Sequence, residues 1–273
     1  YQHSQQAFHL NAAVKNLNPA RWGTFPAGDI SADVLLDGKL QPAWSLHAVV
    51  RQMAGQFAGM NLKGSLDAEM QGWSQWICKQ FWLEYGSNKV SAQGRWGQKG
   101  DQLNLDAELA ALRDLNPLIQ PLGLRLSGKL NGQLQLNGQF NQPGMTASVQ
   151  ADQLAVEYAG RHFSAGSLQL SAKAPDLRNA AMQASLSLQQ MKGDIPFIES
   201  VQDGLSPDLK QIDQLDWSLQ GQLNSHQSAL KLNLNTRQQL SMQLSGGLNT
   251  DRNGWRWQGE LTGLQLSGQP SAS

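Results

Sequence analysis

One stretch of the chain, LRLSGKLNGQLQLNGQF from Leu124 to Phe140, alternates apolar or small residues with polar residues almost without a break. Because the side chains of a β-strand point alternately to opposite faces, this pattern predicts a strand with one apolar face and one amide-rich face. At about 3.3 Å per residue the stretch would span about 50 Å, which exceeds the usual length of a strand. The pattern therefore predicts either one very long strand or two strands joined at a glycine.

Shorter alternating runs recur along the chain and predict sequential antiparallel strands. Turn sequences such as QKGD, NQPG and DRNG separate these runs, since Gly, Asn and Asp adopt the backbone angles that tight turns require. We expect the apolar side of the strands to form a binding face. Its candidate residues are Val90, Leu103, Leu105, Leu109, Leu126, Leu130, Leu134, Leu136, Phe140, Trp217, Leu219, Leu223, Leu230, Leu232, Leu234, Leu240, Met242, Leu244, Trp255, Trp257 and Leu261.

The chain contains one module twice. FAGMNLKGSL, beginning at Phe57, corresponds to YAGRHFSAGSL, beginning at Tyr158, and LNPARW corresponds to LNPLIQ at a similar offset. The second copy is longer, and we assign its insertion to the segment from Lys192 to Gln211. We therefore divide the chain into a first trough module, residues 1–113, and a second, longer copy, residues 114–273. No flexible linker separates the copies, which predicts that they are continuous.

Helix is predicted to be scarce. Asn18 and Asn116 are candidate N-caps, each followed by a proline at the first helical position, and each pair predicts about two helical turns. Another short helix is predicted around residues 198–204. None of these helices is long enough to cover a large sheet, so the apolar face has to be covered by something else.

A sheet with one apolar face can close on itself, pack on a second sheet or fold over along its length. The inward positions are mostly Leu, with Gly, Ala and Met between them, rather than the interlocking Val, Ile and aromatic residues of a packed sandwich. This composition favours a groove that accepts a flexible apolar guest. An ordinary Leu-rich core and a carbohydrate-binding sandwich remain the alternatives.

Charge and motif content exclude several classes of function. The chain has 21 basic and 21 acidic residues, so no net charge is present to hold a polyanion, and nucleic acid is not an expected partner. The five histidines share no metal-ligand spacing, and no nucleophile or phosphate-binding motif occurs. Acidic pairs such as Asp67 and Glu69 are assigned to a solvated strand face. We therefore assign no catalytic residue, no metal and no cofactor, and expect a protein that is not an enzyme.

Cys78, in WICKQFW, is expected to be a buried small hydrophobe rather than a reactive thiol. Nearby, Trp73, Trp76 and Trp82 are candidates for a mouth, an edge or a partner surface, since Trp favours boundaries between apolar and wet environments. No apolar run approaches the ~20 residues of a membrane helix. Because the chain begins without Met, we take it for a piece of a longer protein whose signal or anchor lies elsewhere.

The order of these segments resembles the TamB family, in the AsmA-like group of bacterial bridge proteins. The resemblance rests on LNPARW, GDISADVLLDGKL, FAGMNLKGSL and LNPLIQPLGLRLSGKLNGQLQLNGQF, in this order and in their double occurrence. It implies an elongated antiparallel sheet folded over into an open apolar trough, a β-taco, with a few short helices. We therefore predict this all-β fold and assign the trough-lining role to the candidate residues of the apolar side.

The resemblance also implies a function. Members of the TamB family are inner-membrane-anchored periplasmic proteins that bridge towards the outer membrane. They are associated with phospholipid transport and with assembly of outer-membrane proteins and autotransporters alongside TamA. We expect this segment to hold phospholipid acyl chains in its trough, and TamA to contact a region outside the segment. The alternative is a chaperone-like scaffold that pairs its edge strands with a client β-strand.

Overall fold

The computed structural model describes residues 7–40, 43–177, 180–193, 211–235, 238–251 and 254–268. The helix predicted around residues 198–204 and most of the insertion assigned to residues 192–211 lie outside these ranges. The side chain of Trp255 also lies outside the described part of the chain.

Antiparallel strands account for most of the described chain, as the period-two pattern predicts. The strands are β1 (Ala7–Leu17), β2 (Gly28–Lys39), β3 (Ser45–Phe57), β4 (Met60–Gln71), β5 (Gln75–Tyr85), β6 (Asn88–Trp96), β7 (Gln102–Leu109), β8 (Leu124–Gln139), β9 (Gln142–Tyr158), β10 (Arg161–Ala174), β11 (Met182–Gly193), β12 (Gln211–Gln222), β13 (Ser225–Asn235), β14 (Gln238–Asp251) and β15 (Gly254–Gly268).

These strands form a 15-stranded sheet in which each strand is hydrogen-bonded to the strands before and after it in the chain. The chain divides into two compact units: unit 1 comprises residues 1–122 and 131–143, and unit 2 comprises residues 123–130 and 144–273. Strand β8 contributes residues to both units. The alternating stretch of the opening prediction is therefore one strand of 16 residues rather than two strands.

The two copies of the repeat fold into the same type of hairpin. Ala58 and Gly59 connect β3 to β4 with φ of 52° and 80°, and Ala159 and Gly160 connect β9 to β10 with φ of 51° and 78°. Positive φ at both central residues is the type I′ geometry, whose twist matches the right-handed twist of the flanking strands. The repeated FAG and YAG sequences therefore form the same type of turn in unit 1 and unit 2.

The first Asn-Pro segment forms a shorter helix than the two turns predicted. Asn18 caps a 3-10 helix of Pro19–Arg21, and its side-chain oxygen accepts a hydrogen bond from the Ala20 amide at 3.2 Å. The Asn18 side chain also accepts from the Gly28 amide at 3.2 Å, which joins the helix to the start of β2. The chain therefore leaves the helix after a single turn.

The second Asn-Pro segment is helical from an earlier residue than predicted. A 3-10 turn over Leu112–Leu115 precedes helix α1, Asn116–Ile119, and a second 3-10 turn follows over Gln120–Leu122. The assignment of Asn116 as the N-cap is wrong, because Leu115 holds that position. Hydrogen bonds to the β5–β6 turn explain the early start, since the Asp114 carboxylate accepts from the Ser87 amide at 2.9 Å.

A row of residues crosses unit 2 where neighbouring strands change phase. Gln153 on β9, Gly166 on β10, Gln190 on β11 and Asp213 on β12 are opposite one another in the register of the sheet. Gln153 and Gln190 have φ of 50° and 53°, in the left-handed region that side chains other than glycine rarely adopt. Past this row the inward-facing positions of each strand shift by one residue, as at a β-bulge. We call the row the crease.

The core of unit 2 lies along the crease. The most deeply buried side chains there come from β10, β11, β12 and β13, on both sides of the row; they are Ala165, Leu188, Met191, Ile212 and Leu232. A bulged strand bends, so apolar side chains that flank the row approach one another on the concave side. The bend therefore provides the buried volume that a flat one-sided sheet lacks.

Unit 1 contains a corresponding row of irregularities. The register shifts at neighbouring positions in every pairing from β1–β2 to β5–β6. Asn16 on β1 and Gln52 on β3 have φ of 52° and 51° there, and Gly94 on β6 has φ of 128°. Each unit thus has its own crease.

All described strands belong to this one sheet, and the described helices have only three or four residues each. The apolar side of the strands is therefore not covered by a long helix in this part of the chain. The prediction of an all-β, open antiparallel sheet with a few short helices is confirmed. None of the described helices is long and apolar enough to cross a membrane.

Candidate functional site

The strand registers of unit 1 place apolar side chains in rows that run across β1 to β7. Residues that pair directly lie on the same face, so each row follows from the cross-strand pairs. Three neighbouring rows are Phe8, Gly38, Leu46, Met70, Trp76 and Trp96; then Leu10, Leu36, Ala48, Ala68, Cys78, Gly94 and Leu103; then Ala12, Val34, Val50, Leu66, Phe81, Ala92 and Leu105. Beyond the crease a further row contains Met53, Gly64, Leu83, Val90 and Ala107, and the next contains Gly55, Leu62, Tyr85, Asn88 and Leu109. We call this surface the apolar face of unit 1.

Unit 2 repeats the arrangement across β9 to β15. One row contains Val149, Leu170, Leu186, Trp217, Leu230, Met242 and Leu264, and the next contains Ala151, Leu168, Leu188, Leu215, Leu232, Leu240 and Leu266. A third row contains Ala147, Ala172, Ala184, Leu219, Ser228, Leu244 and Leu261. We call this surface the apolar face of unit 2.

The candidate residues of β8 lie on the apolar side of that strand. Gln133 and Gln135 donate side-chain hydrogen bonds to Asp106 and Asn104 on β7, at 3.2 and 3.0 Å, so this side of β8 is polar. Leu134 and Leu136 alternate with these amides and lie on the opposite side. In unit 2, Arg125 pairs with Glu157 at 3.8 Å, which likewise leaves Leu126 and Leu130 on the other side of the strand.

The remaining candidates differ in their surroundings. Leu234 packs against the buried core of unit 2, and Leu223 lies just beyond the end of β12. Trp257 is exposed, and its indole N–H donates to His226 Nε2 at 3.1 Å. Leu261 is also exposed, although it pairs with Leu244 of the apolar face.

Most leucines of the two faces are only partly buried. Among the described leucines, full burial is confined to Leu62, Leu112, Leu188 and Leu232. On the last strand, Leu264 and Leu266 are 63% and 64% exposed, although they continue rows that begin on β9. The faces therefore present aligned apolar side chains that protein atoms cover incompletely.

One end of the apolar face of unit 1 is closed by the helical segment that follows β7. Leu112 and Tyr85 are both buried, and burial raises the pKa of the Tyr85 hydroxyl above its usual value. The Asn88 side chain exchanges two hydrogen bonds of 3.0 Å with the backbone of Ala111, which fixes the segment against β6. The helical segment therefore closes the apolar face of unit 1 at this end.

The other end of the same face holds an aromatic cluster and a cavity. Trp76, Trp96 and Phe140 make edge-to-face contacts with ring centroids 4.7 to 5.7 Å apart, and Trp96 donates its indole N–H to the Asn137 carbonyl at 3.3 Å. Beside it lies a cavity of about 800 Å³ among the ends of β1 to β4. We call it the end cavity.

The side of unit 1 opposite the apolar face carries an ion-pair cluster. His47 Nε2 lies 2.8 Å from Asp67 Oδ1 and 4.0 Å from Glu69 Oε1, and Lys79 pairs with the same two carboxylates. Asp67 and Glu69 lie on the polar side of β4 as predicted, but they belong to a network across three strands. Among the described residues, no group of three or more His, Cys, Asp or Glu side chains could hold a metal ion.

Cys78 belongs to the apolar face of unit 1, between Ala68 and Gly94. Its thiol is partly buried and donates to the Ala92 carbonyl with an S···O distance of 3.3 Å. Burial raises the pKa of the thiol above its usual value, and the Asp67 carboxylate adds to the increase. The sole cysteine of the chain is therefore a slow-reacting marker of the apolar face.

Many residues of the two faces are absent from the candidates named in the sequence, above all those of β1 to β5 and β9 to β11. A strict period of two fails on these strands, since the apolar positions shift by one at each crease. The sequence does contain a signal for the shift, because two consecutive polar residues occupy the crease on each of several strands. These pairs are Lys15 and Asn16, Arg51 and Gln52, Lys79 and Gln80, Asp152 and Gln153, and Gln189 and Gln190.

Comparison with known proteins adds one finding to this geometry. A family model described as the N-terminal domain of TamB matches residues 3–271. No curated protein and no solved structure was found to match the chain.

Proposed function

Because the chain belongs to the TamB family, we propose that it carries phospholipids along its apolar faces between the inner and outer membranes. The observation that supports this most is the set of leucine rows that cross the strands of each unit and remain incompletely covered. An apolar guest would cover these side chains without displacing any packed element.

The free energy of acyl-chain contacts with the leucine rows suits a lipid that moves along the face. Each acyl methylene that leaves water contributes about 0.8 kcal/mol, so several methylenes along a leucine row hold a lipid without a directional bond. The rows contain no charged side chain, so a tail can slide from one row to the next without breaking an ion pair. Binding of this kind is distributed along the face rather than concentrated at one residue.

The sole cysteine provides a direct test in the unaltered protein. Cys78 lies on the apolar face of unit 1, so an acyl chain on that face will shield the thiol. We expect oleate, added below its micelle concentration, to slow maleimide alkylation of Cys78 severalfold, as measured by mass spectrometry. Native mass spectrometry of the purified protein tests for phospholipid that co-purifies.

A matched control places the thiol on the opposite side of the sheet. Gln93 is an exposed residue of β6 that alternates with Ala92 of the apolar face. In a Cys78→Ala, Gln93→Cys protein, oleate is expected to leave the alkylation rate unchanged. No protection at Cys78, or equal protection at both positions, would contradict acyl binding on this face.

A second function is supported by the last strand. β15 is the last strand in the order of the described sheet and exposes Leu264 and Leu266, so a client β-strand could pair with it as in β-augmentation. Cross-linking from β15 to an outer-membrane client peptide tests this alternative. For either function, family membership supports a periplasmic location in an inner-membrane-anchored protein, with TamA contacting a region outside this segment.

A further inference from the structure

A second cavity of unit 1 lies on the side of the sheet opposite the apolar face. It has a volume of about 940 Å³ and lies over β5, β6 and β7. Its lining comes largely from polar-side residues that alternate with the apolar rows; they include Gln80, Trp82, Ser91, Gln93, Asn104 and Asp106. We call it the amide cavity. The proposed lipid function makes no use of this side of the sheet.

Trp82 is the tryptophan of the amide cavity. It pairs with Ser91, and Ser91 pairs with Asp106, so the three residues share the polar side, whereas Phe81 belongs to the apolar face. Trp82 is half-buried, and among the described residues its ring makes no aromatic contact and its indole N–H donates no hydrogen bond. Trp96, by contrast, contacts two rings and donates to a backbone carbonyl. Trp82 therefore offers a ligand both an apolar ring and a donor.

Two side chains of β7 are oriented beside Trp82. Gln133 donates to Asp106 Oδ1 at 3.2 Å, and Gln135 donates to Asn104 Oδ1 at 3.0 Å. These bonds hold the carboxylate and the amide in place, and they leave Asp106 Oδ2 to accept and Asn104 Nδ2 to donate. Acceptor and donor groups therefore lie next to one aromatic side chain.

The charges around the amide cavity favour a neutral ligand. Lys79 is engaged by the two carboxylates of the ion-pair cluster, and Lys89 lies directly opposite Glu84 in the pairing of β5 with β6. The carboxylate of Asp106 would repel an incoming phosphate or carboxylate. Hydrogen bonding to amides, a hydroxyl and one carboxylate is what remains for recognition.

We propose that the amide cavity binds a neutral, extended oligosaccharide. The apolar face of a sugar ring stacks on the indole of Trp82, and hydroxyl groups, which both donate and accept, pair with Asp106 and Asn104. The lining follows β5 from Gln80 to Glu84, about 13 Å at about 3.3 Å per residue, a length that accommodates a disaccharide or trisaccharide. The volume is within the range of about 300–1,000 Å³ that small-molecule sites occupy.

Other ligands fit this cavity less well. A nucleotide would stack its base on Trp82 but would bring its phosphate towards Asp106. A peptide that adds a strand requires a free edge, and β5, β6 and β7 each have a hydrogen-bonded strand on both sides. Among oligosaccharides, a β-1,4-linked chain is extended and lies flat on the strands, whereas an α-1,4-linked chain curls away from them.

Calorimetric titration with soluble trisaccharides tests the site. Cellotriose and tri-N-acetylchitotriose are the β-1,4-linked probes, maltotriose is the α-1,4-linked comparison, and adenosine monophosphate is the anionic aromatic probe. We expect at least one β-linked probe to bind at least fivefold more tightly than maltotriose and adenosine monophosphate. Trp82→Ala is expected to weaken this binding at least tenfold, and Trp82→Phe, which keeps an aromatic face, less than threefold.

Two further variants separate binding from folding. Trp73→Ala is the matched control, because Trp73 is 78% exposed and lies outside the amide cavity, and it is expected to leave the affinity unchanged. Asn104→Ala alters an exposed side chain, so it tests the polar wall without loss of packing, and it is expected to weaken binding about threefold.

Three results would overturn the proposal. They are no binding of either β-linked probe, equal or tighter binding of maltotriose or adenosine monophosphate, and unchanged affinity in Trp82→Ala or Asn104→Ala. Protection of Cys78 by oleate concerns the opposite side of the sheet, so the lipid function stands or fails separately from the sugar site.

Discussion

The openness of the apolar faces can be tested with two leucines of one row. Leu232 and Leu266 both pair with Leu240, so they share a face and a strand register, but they are 4% and 64% exposed. We therefore compare Leu232→Asp with Leu266→Asp. Gln265→Asp serves as the control, because Gln265 is exposed and alternates with Leu266 on the other side of β15.

The two substitutions are expected to differ strongly in cost. Full burial of a leucine contributes about 1.5–3 kcal/mol, and Leu266 has roughly a third of its surface buried, so its loss costs about 0.5–1 kcal/mol. At Leu232 the new carboxylate is buried without a partner, which costs several kcal/mol in addition to the lost packing, against a total stability of about 5–15 kcal/mol.

Thermal unfolding followed by circular dichroism measures the difference. At about 2–4 °C per kcal/mol, Leu266→Asp is expected to lower the melting temperature by a few degrees, close to Gln265→Asp, while Leu232→Asp unfolds or nearly unfolds the protein. Binding of oleate to the protein is expected to be weaker in Leu266→Asp and unchanged in Gln265→Asp. If Leu266→Asp destabilises the protein as much as Leu232→Asp does, the face is closed and the reasoning is refuted.

The remaining predictions concern the crease, the cysteine and the repeat. Gln190→Gly is expected to be neutral or stabilising by up to about 1 kcal/mol, because glycine relieves the left-handed φ, whereas Gln189→Gly costs about 0.5–1 kcal/mol in denaturant unfolding. Gly128→Ala is expected to cost about 1–3 kcal/mol, since φ is 108° and the new Cβ would lie 2.5 Å from the Gln153 carbonyl oxygen. The pKa of the Cys78 thiol is higher in the folded state than in the unfolded state. The contribution of this thiol to the free energy of unfolding is therefore intact below the unfolded pKa of about 8.5 and is lost as pH rises through the folded pKa. Unfolding between pH 7 and 10 should therefore show a smaller alkaline loss of stability in Cys78→Ala. The two copies are expected to unfold in one calorimetric transition, and two resolved transitions would contradict their continuity.

The alternation in the sequence was sufficient to predict the strands and their antiparallel order, because side-chain period follows directly from strand geometry. It left open whether β8 is one strand or two. On β7 and β13 the alternation is unbroken, and the leucines named from the sequence lie in cross-strand rows. It failed at the creases, where one extra residue in a strand reverses which positions face inward. A polar pair such as Gln189 and Gln190 marks the reversal, but only the neighbouring strands show that these pairs are aligned.

The end cavity and the ion-pair cluster could not be predicted for a different reason. His47, Asp67 and Lys79 are separated along the chain and meet only through the registers of β3, β4 and β5. These registers depend on bulges, and a bulge placed one residue away would put His47 on the apolar side. The prediction that Asn116 is a helix N-cap was wrong for a similar reason, because a hydrogen bond to the β5–β6 turn accompanies an earlier start of the helix.

The strand order also has a consequence for how the protein folds. Since each strand pairs with the one that precedes it in the chain, the contacts in the sheet join segments that are close in sequence, and the entropy lost in closing each loop is small. The sheet can therefore assemble one hairpin after another, while the chain is still being synthesised. At every stage the strand added last forms the edge of the sheet. A substitution that prevents one hairpin from forming therefore also prevents the addition of every later strand.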